Sequence, residues 1–589
     1  MRIWITLSTL FWMIGPVNST GAAAVFKATP SNYASRVARL KAGDTLNLAA
    51  GRYPGLTVKG LRGTSSAWIV ITGPSSGPPA VVLGPACCNA IEISNSSFVS
   101  IENLTIDSKG IEGTFGISAK DGLSNLVHDI RIQNNRFVGQ GASQQTVAIS
   151  TKTPTWGWII RGNEISGAGT GIYLGNSDGA QPFVAGLIEN NFIENTIGYN
   201  MEIKWQHRRP AVPGMPVSRS STIIRNNVFV KNGRPSPDGD RPNVLVGGFP
   251  DSGAGSDDLY EVYGNLFLNN PREALLQASG RVSVHDNIFV GGEYTALALQ
   301  AHDLPLKLAH VYNNTIYTQH QGILFGSPAM LEDAVIGNLI FADVPMSGPM
   351  QHTLGNLGNT VAHAGEYVTA PSFDVSTMDF YPLPGKCEGQ PLDLKAFAAE
   401  TDYEFDFNGA AKDRSNQGAV FRGAYAGAGK NPGWKLQLSE KNAVNQAQVP
   451  SAIEITPSSG KRGESGSFLI VLHTPKQSSI AGVQWELWAG AGITIDPSDI
   501  VIGSAAAAAE KTLACSAMPP VPGHPLGKKC LLAGGKKNIP DGPIAIVRYR
   551  VGRQADGKTS AVRLENILGV DADLKMVDLG HAAETLATQ

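Results

Sequence analysis

One phrase recurs through the first two thirds of the chain. It is a β-branched or aromatic pair, a polar residue, an asparagine, and another apolar pair. It reads IRIQNNRF, WIIRGNEI, GLIENNFI, TIIRNNVF, YEVYGNLF, VSVHDNIF, AHVYNNTI and AVIGNLIF between Ile130 and Phe341. The aligned asparagines are Asn135, Asn163, Asn191, Asn227, Asn265, Asn287, Asn314 and Asn338, at spacings of 28, 28, 36, 38, 22, 27 and 24 residues. SFVSIENLTI, from Ser97 to Ile106, is an earlier copy with Leu104 at the asparagine position. Alternating apolar residues over three to five positions make strands rather than helices. A fixed strand core with loops of adjustable length is the signature of a solenoid, in which each coil contacts only its neighbours. Asparagine tolerates left-handed backbone angles, and its amide can bond to the next coil, so the column is read as a turn after a strand and as a hydrogen-bonded ladder.

A second strand column lies between these turns: GISAK (116–120), VAIS (147–150), GIYLG (171–175), NMEIK (200–204), NVLVG (243–247), ALLQ (274–277), ALALQ (296–300) and GILFG (322–326). Ile172/Leu174, Met201/Ile203, Val244/Val246, Leu297/Leu299 and Ile323/Phe325 are expected to point inward. The pattern predicts an all-β, right-handed parallel β-helix over about residues 30 to 385. A propeller would need four strands per repeat, and these units hold two or three.

Composition narrows the function. Charged residues make up 16% of the chain, against about 25% in an average globular protein. Lys+Arg 47 and Asp+Glu 49 leave a net charge of −2, which excludes a generally basic nucleic-acid binder. Arg2 precedes an apolar run from Ile3 to Ile14. Gly15, Pro16 and small residues ending in Ala22, Ala23 and Ala24 follow. This is the layout of a signal peptide, so a secreted, periplasmic or cell-surface location is expected. The run is short for a membrane span, and no later segment reaches about 18 uninterrupted apolar residues. Cys515 and Cys530 flank a Pro/Gly-rich segment and are a candidate disulfide. The adjacent Cys87 and Cys88 are poorly placed for an ordinary bridge and are expected to be small buried hydrophobes.

The stretch AGDTLNLAAGRYPGLTVKG, Ala42 to Gly60, resembles the N-terminal cap and first coil of the β-helix polysaccharide lyases, including chondroitinase-B-like and alginate-lyase-like proteins. YEFDFNGAAKDRSNQGAVFRGAY, Tyr403 to Tyr425, resembles the end cap of many secreted bacterial β-helix proteins. Residues 426–450 read as a linker. From 451 the rhythm changes to short strands between Gly/Pro/Ser turns, as in a β-sandwich. GKRGESGSFLIVLH (Gly460 to His473), GVQWELWAG (Gly482 to Gly490) and DGPIAIVRYRV (Asp541 to Val551) resemble a cohesin-like module, with an immunoglobulin-like sandwich as the alternative. The expected organisation is therefore a signal peptide (1–24), a β-helix with caps (25–425), a linker (426–450) and a sandwich (451–589). The cohesin resemblance implies a dockerin-like protein partner.

The polar residues of the β-helix concentrate mid-solenoid. Tyr173, Glu202, Lys204, Gln277 and Gln300 lie on the outward side of the second strand column, and Trp205, His207, Arg208, Arg209, Arg241 and His302 border it. Arginine suits bidentate contact with a uronate carboxylate, and an aromatic ring suits stacking on a sugar. The lyase resemblance implies β-elimination: a base takes the proton α to the carboxylate, and cations neutralise that carboxylate. Lys204 or His207 is the candidate base and Arg208 or Arg209 the charge stabiliser. Glu202 is a candidate oxygen ligand for Ca²⁺. The pattern departs from those lyases, since Glu202 and Lys204 are two residues apart and no second acid stands in the strand. Two readings follow, an exported polysaccharide lyase or other carbohydrate-active enzyme, and a non-catalytic scaffold or adhesin with the β-helix as a rigid body. His285 and His310, which precede ladder turns, are expected to be structural.

Overall fold

The structure, a computed structural model, describes residues 23–65, 67–121, 126–291, 293–413, 418–434 and 436 of the N-terminal region. It also describes 452–455, 459–460, 463, 465–474, 480–490, 492–519, 526–535, 537–552, 562–572, 576–577, 579–582 and 587–588 of the C-terminal one. The candidate leader up to residue 22, and residues 437–450 of the expected linker, lie outside the described residues.

The alternating pattern folds into three strands per coil. Val127–Gln133, Arg136–Val138 and Val147–Thr151 form one coil, and each pairs in parallel with its counterpart in the coils before and after. Repetition builds three parallel sheets, here sheets I, II and III, with 13, 12 and 11 strands among the described residues. The fold is a right-handed parallel β-helix. The first complete coil is Thr45–Leu48, Gly51–Tyr53 and Leu56–Lys59, inside the stretch read from sequence as the first coil. A strand at Val25–Ala28 and a short helix at Tyr33–Val37 precede it.

The interior is a set of side-chain columns. Ile132, Ile160, Ile188, Ile224, Val262, Val284 and Val311 stack under sheet I, all fully buried. Under sheet II, Phe229, Phe267 and Phe289 stack with ring centroids 5.2 and 4.6 Å apart. The inward residues expected under sheet III are all buried.

The corner between sheets I and II carries the asparagine column. Each ladder asparagine receives its predecessor's backbone N–H on Oδ1: Asn135 N donates to Asn163 (3.1 Å), Asn163 N to Asn191 (3.0 Å) and Asn191 N to Asn227 (3.0 Å). Each side-chain amide also donates to a carbonyl of the preceding coil, as Asn227 Nδ2 does to Ile188 O at 2.9 Å. The ladder begins at Leu104, whose backbone N–H donates to Asn135 Oδ1 at 3.0 Å, and it runs one step past the repeats, to Asn356. One expectation is corrected. The left-handed residue is not the ladder asparagine but the one before it: Asn134, Gly162, Asn190, Asn226, Gly264, Asp286, Asn313 and Gly337, with φ between 51 and 65°. Asn, Asp and Gly tolerate this region with least cost. At Gly264 a Cβ would also stand 2.4 Å from Asn226 Oδ1.

The chain after the last coil covers two of the three sheets. Val228, Leu266, Ile288 and Leu339 face outward from sheet II and are buried under Val368, Phe380, Tyr381 and Trp434. Residues 397–412 lie on sheet I. There the outward column runs Arg161, Glu189, Arg225, Tyr263, His285, Tyr312. Burial alone would raise the Glu189 carboxyl, but Arg161 and Arg225 on either side outweigh it and hold it down to about 2. His285 is sandwiched between the Tyr263 and Tyr312 rings at 4.7 Å each, and Phe397 of the cap closes the stack on Tyr312 at 4.1 Å. Cap Lys412 meets Asp286 at 2.6 Å, and Glu400 accepts from Tyr312 at 3.0 Å and also pairs with His310 and Ser283. Both histidines are thus enclosed in structural contacts. Part of the expected linker belongs to this cap, since Ala426, Trp434 and Leu436 are buried.

The C-terminal region is a second, antiparallel β-structure with its own core. Ser465–His473 pairs with Gly542–Val551 in one sheet, and Ile480–Ala489 lies between Leu526–Ala533 and Val562–Asp571 in the other. Ile470, Leu472, Trp485, Leu487, Val547 and Leu564 pack between them. The alanine run forms a helix at Ser504–Ala508. Thr512–Met518 and Leu526–Ala533, not anticipated as strands, pair in antiparallel register, and the Cys515–Cys530 disulfide joins them.

The ladder predicts a position-dependent cost. Asn227→Ala strips partners from the buried Asn191 N–H and Ile188 C=O, at about 1–3 kcal/mol per orphaned group. A loss of about 2–4 kcal/mol by urea denaturation is expected. Asn356→Ala, at the open end, should cost clearly less, and equal losses would show that the ladder is not continuous.

Candidate functional site

The returning cap packs on sheets I and II and leaves sheet III to its own loops, under which Ser118, Ser150, Glu202 and Leu245 are buried while Tyr173 and Gln277 are half-buried. The register of sheet III places Ser118, Ser150, Tyr173, Glu202, Leu245, Gln277, Ala298 and Leu324 in one outward column. The residues two further along each strand form the next column, with Lys120, Lys152, Gly175, Lys204, Gly247, Ser279, Gln300 and Gly326. The sequence reading differs at two coils. Aligned at their last residues, the phrases GISAK, VAIS, NMEIK and ALLQ would put Ser150 and Gln277 in the column of Lys120 and Lys204, and the register sets both two residues earlier. A two-residue slip keeps every side chain on the correct face, so alternation alone does not detect it.

The correction brings in Lys152. Lys152 is exposed and makes no ion pair among the described residues; its ammonium lies 5.3 Å from the Phe115 ring centroid and 5.6 Å from that of Tyr173. Lys204 approaches the same Tyr173 ring at 5.7 Å from the neighbouring coil. Tyr173 thus has a lysine on each side. Burial and nearby Glu202 push its hydroxyl up to about 12, so it is a protonated donor at neutral pH. One coil on, Lys204 Nζ donates to Glu202 Oε1 at 2.7 Å. Glu202 is buried, and burial holds its carboxyl above the ordinary range despite Lys204. Tyr199 also hydrogen-bonds Glu202, and the Arg241 guanidinium lies 5.8 Å from the Tyr199 ring centroid. Phe115 and Tyr199 carry no repeat signature and were not singled out from sequence.

The flanking residues divide between the groove and the scaffold. Trp205 is half-buried, donates Nε1–H to Ser177 O at 3.1 Å, and meets His207 edge-on at 4.6 Å. His207 and Arg208 are exposed. Arg241 donates to Asp240 O (3.0 Å) and Asp238 O (2.8 Å), bracing its own loop. Gln277 and Gln300 are half-exposed two and three coils beyond Glu202, and His302 lies at the border beside Asp303 at 3.7 Å.

Arg209 does not reach the groove. It is buried, ion-paired with Asp258, and donates Nη1–H to Ser218 O at 3.2 Å. Asp258 in turn accepts from Ser220 N at 2.9 Å. The pair ties the 209–220 excursion to the glycine-rich loop at 251–258, so the arginine expected to stabilise charge in a reaction is structural. Lys204, the candidate base, has its ammonium engaged by Glu202. That same contact occupies the oxygen expected to serve Ca²⁺, and among the described residues no group of three His, Cys, Asp or Glu gathers as a metal site.

The family comparison agrees with the β-helix. A family model described as a right handed beta helix region matches residues 89–338. Among solved structures, a GH136 lacto-N-biosidase from Eubacterium ramulus is 10% identical, with 57% of this chain and 68% of that one covered and a TM-score of 0.38. A non-cellulosomal cohesin from Archaeoglobus fulgidus is 16% identical over 24% of this chain and 92% of its own, with a TM-score of 0.20. A cohesin module of a Clostridium perfringens family 33 glycoside hydrolase is 10% identical over 24% and 98%, also at 0.20. A comparison with curated protein sequences finds no match.

The two adjacent arginines separate scaffold from surface. Arg209→Ala leaves Asp258 buried without its partner and should cost about 3–5 kcal/mol in urea denaturation. Arg208→Ala should stay within about 0.5 kcal/mol of the parent. Equal effects would contradict the assignment.

Proposed function

We propose that the protein binds a uronic-acid-containing polysaccharide along the outward face of sheet III. The observation that carries this reading is the row Lys152–Tyr173–Lys204: one ring flanked by two cations, one of them exposed and without an ion pair among the described residues. An aromatic face suits the apolar side of a sugar ring, and an ammonium suits its carboxylate. Gln277, Gln300 and the Tyr173 hydroxyl add uncharged hydrogen-bonding groups of the kind that fix a sugar's orientation.

Between binding and cleavage, the geometry favours binding. β-Elimination needs a free base next to a charge stabiliser. Here Lys204 is held as an ion pair, Tyr173 is held protonated and Arg209 is spent on Asp258, which leaves His207 and Arg208 as the exposed candidates at the border. Export to the cell exterior, expected from the leader, places the groove where such polymers occur.

The C-terminal sandwich supports a second, protein-binding role, as the alternative scaffold reading requires. Leu531 and Leu568 are 50% and 44% exposed and stand on either side of Gln484 on one sheet face. A pair of exposed leucines on one sheet face suits docking of a partner, and the partner proposed is a dockerin-like module. In the full chain, Leu531→Asp with Leu568→Asp should abolish binding to the best ligand of a dockerin panel. Failure of the parent to bind any member would remove this role.

The groove is tested with alginate, polygalacturonate and a glycosaminoglycan, against a neutral glucan as control. The full chain should bind one of the acidic polymers. Lys152→Ala and Tyr173→Ala should each weaken that binding about tenfold, or about 1.4 kcal/mol, Lys152→Ala with no change in Tm. Growth of ultraviolet absorbance from an unsaturated uronate would replace the binding reading with a lyase. Equal affinity for the neutral glucan, or no binding at all, would discard it.

A further inference from the structure

Cys87 and Cys88 are both free and both exposed, against the expectation that they are small buried hydrophobes. Cys387, by contrast, is free and buried. Cys88 opens the sheet III strand Cys88–Ser94 and pairs with Thr114 of the next coil. Consecutive side chains of a strand point to opposite faces, which normally carries adjacent sulfurs apart. Here Cys88 has φ of +84°, a left-handed conformation that breaks the alternation. The two side chains lie close enough to influence each other directly, and both are exposed. A non-glycine residue in this region is strained and must be held by the surrounding structure, and such positions gather at working sites. Two exposed sulfurs presented together by strained backbone have no packing role to explain them.

We infer that Cys87 and Cys88 form a redox-reversible vicinal disulfide, a modification site at the end of the sheet III face. The oxidant is a disulfide of low molecular weight or of a thiol–disulfide exchange protein. The thiolate of one cysteine attacks the oxidant's S–S bond and forms a mixed disulfide, releasing one thiol. The second thiolate then attacks the protein sulfur of that mixed disulfide. The Cys87–Cys88 bond forms, and a second thiol leaves. The two cysteines lose two electrons and two protons, and the oxidant gains both as two thiols. Closure replaces two exposed thiols with a ring that carries no S–H. The ring would stand three strands along sheet III from Tyr173, about 14 Å along the solenoid at the usual strand spacing, and four residues to one side of the Tyr173 column, which crosses this strand at Glu92. This inference is independent of the glycan reading, since it rests on sulfur placement alone.

Peptide mass spectrometry tests it on the full chain. Trypsin releases residues 63–109 as one peptide, whose only cysteines are 87 and 88. After equilibration with oxidised glutathione and alkylation, that peptide should carry no alkyl group and weigh about two mass units less than its reduced form. Reduction should restore two alkylation sites. Cys88→Ser should instead leave Cys87 as a mixed disulfide with glutathione, since the resolving thiol is gone. A peptide from the parent chain that carries two alkyl groups, two glutathiones or a bond to another chain would overturn the inference.

Discussion

A parallel solenoid must turn a corner three times per coil without leaving buried backbone groups unpaired, and here one corner is solved by a single side chain repeated coil after coil. The ladder asparagine accepts the N–H of the coil before it and donates to a carbonyl of that coil. Its side-chain N–H also donates to Oδ1 of the next ladder asparagine, so the buried amide serves neighbours on both sides, and an unmade bond in this low-dielectric interior is expensive. Everything else follows from that column. It holds the sheets in register, and register aligns the interior into aliphatic and aromatic stacks. The loops at the other corners remain free to vary in length.

That freedom placed the candidate site. The chain beyond the last coil folds back over sheets I and II, burying an apolar strip on one and a histidine–tyrosine stack on the other. The ionic contacts beneath it, Asp286–Lys412 and the Glu400 cluster, are enclosed and serve to seat the cap. Sheet III keeps its outward polar residues accessible in part, and in a chain of 16% charge its lysines and tyrosines stand out. The charges near it sort by burial. Arg209 and Asp258 are spent on shape, Glu202 and Lys204 on each other, and Lys152 is left open to solvent.

Much of this was legible in advance for a physical reason. The Asn column and the inward aliphatics obey strict periodicity, and even the substitution of Leu104 for an asparagine was readable, because a backbone N–H fills the donor role there. The left-handed position was assigned one residue late, although the alternation of Asn, Gly and Asp before each ladder residue carries that signal. Lys152 was missed because a strand displaced by two residues looks the same from its pattern. Ala426 and Trp434 were read as linker because their surroundings are rich in glycine and asparagine. Composition does not report that two side chains are buried by a distant surface.

Sequence alone determined the solenoid, its coil-by-coil periodicity, the change to a sandwich after residue 451 and the neighbourhood of Tyr173, Glu202 and Lys204. Each is a local property, written in spacing and alternation. Only the tertiary structure decided which sheets the cap covers, which of two adjacent arginines is buried, and that Lys152 stands beside Tyr173. Those outcomes depend on how separate coils and the returning cap pack together, and packing between residues far apart in the chain leaves no period in the sequence.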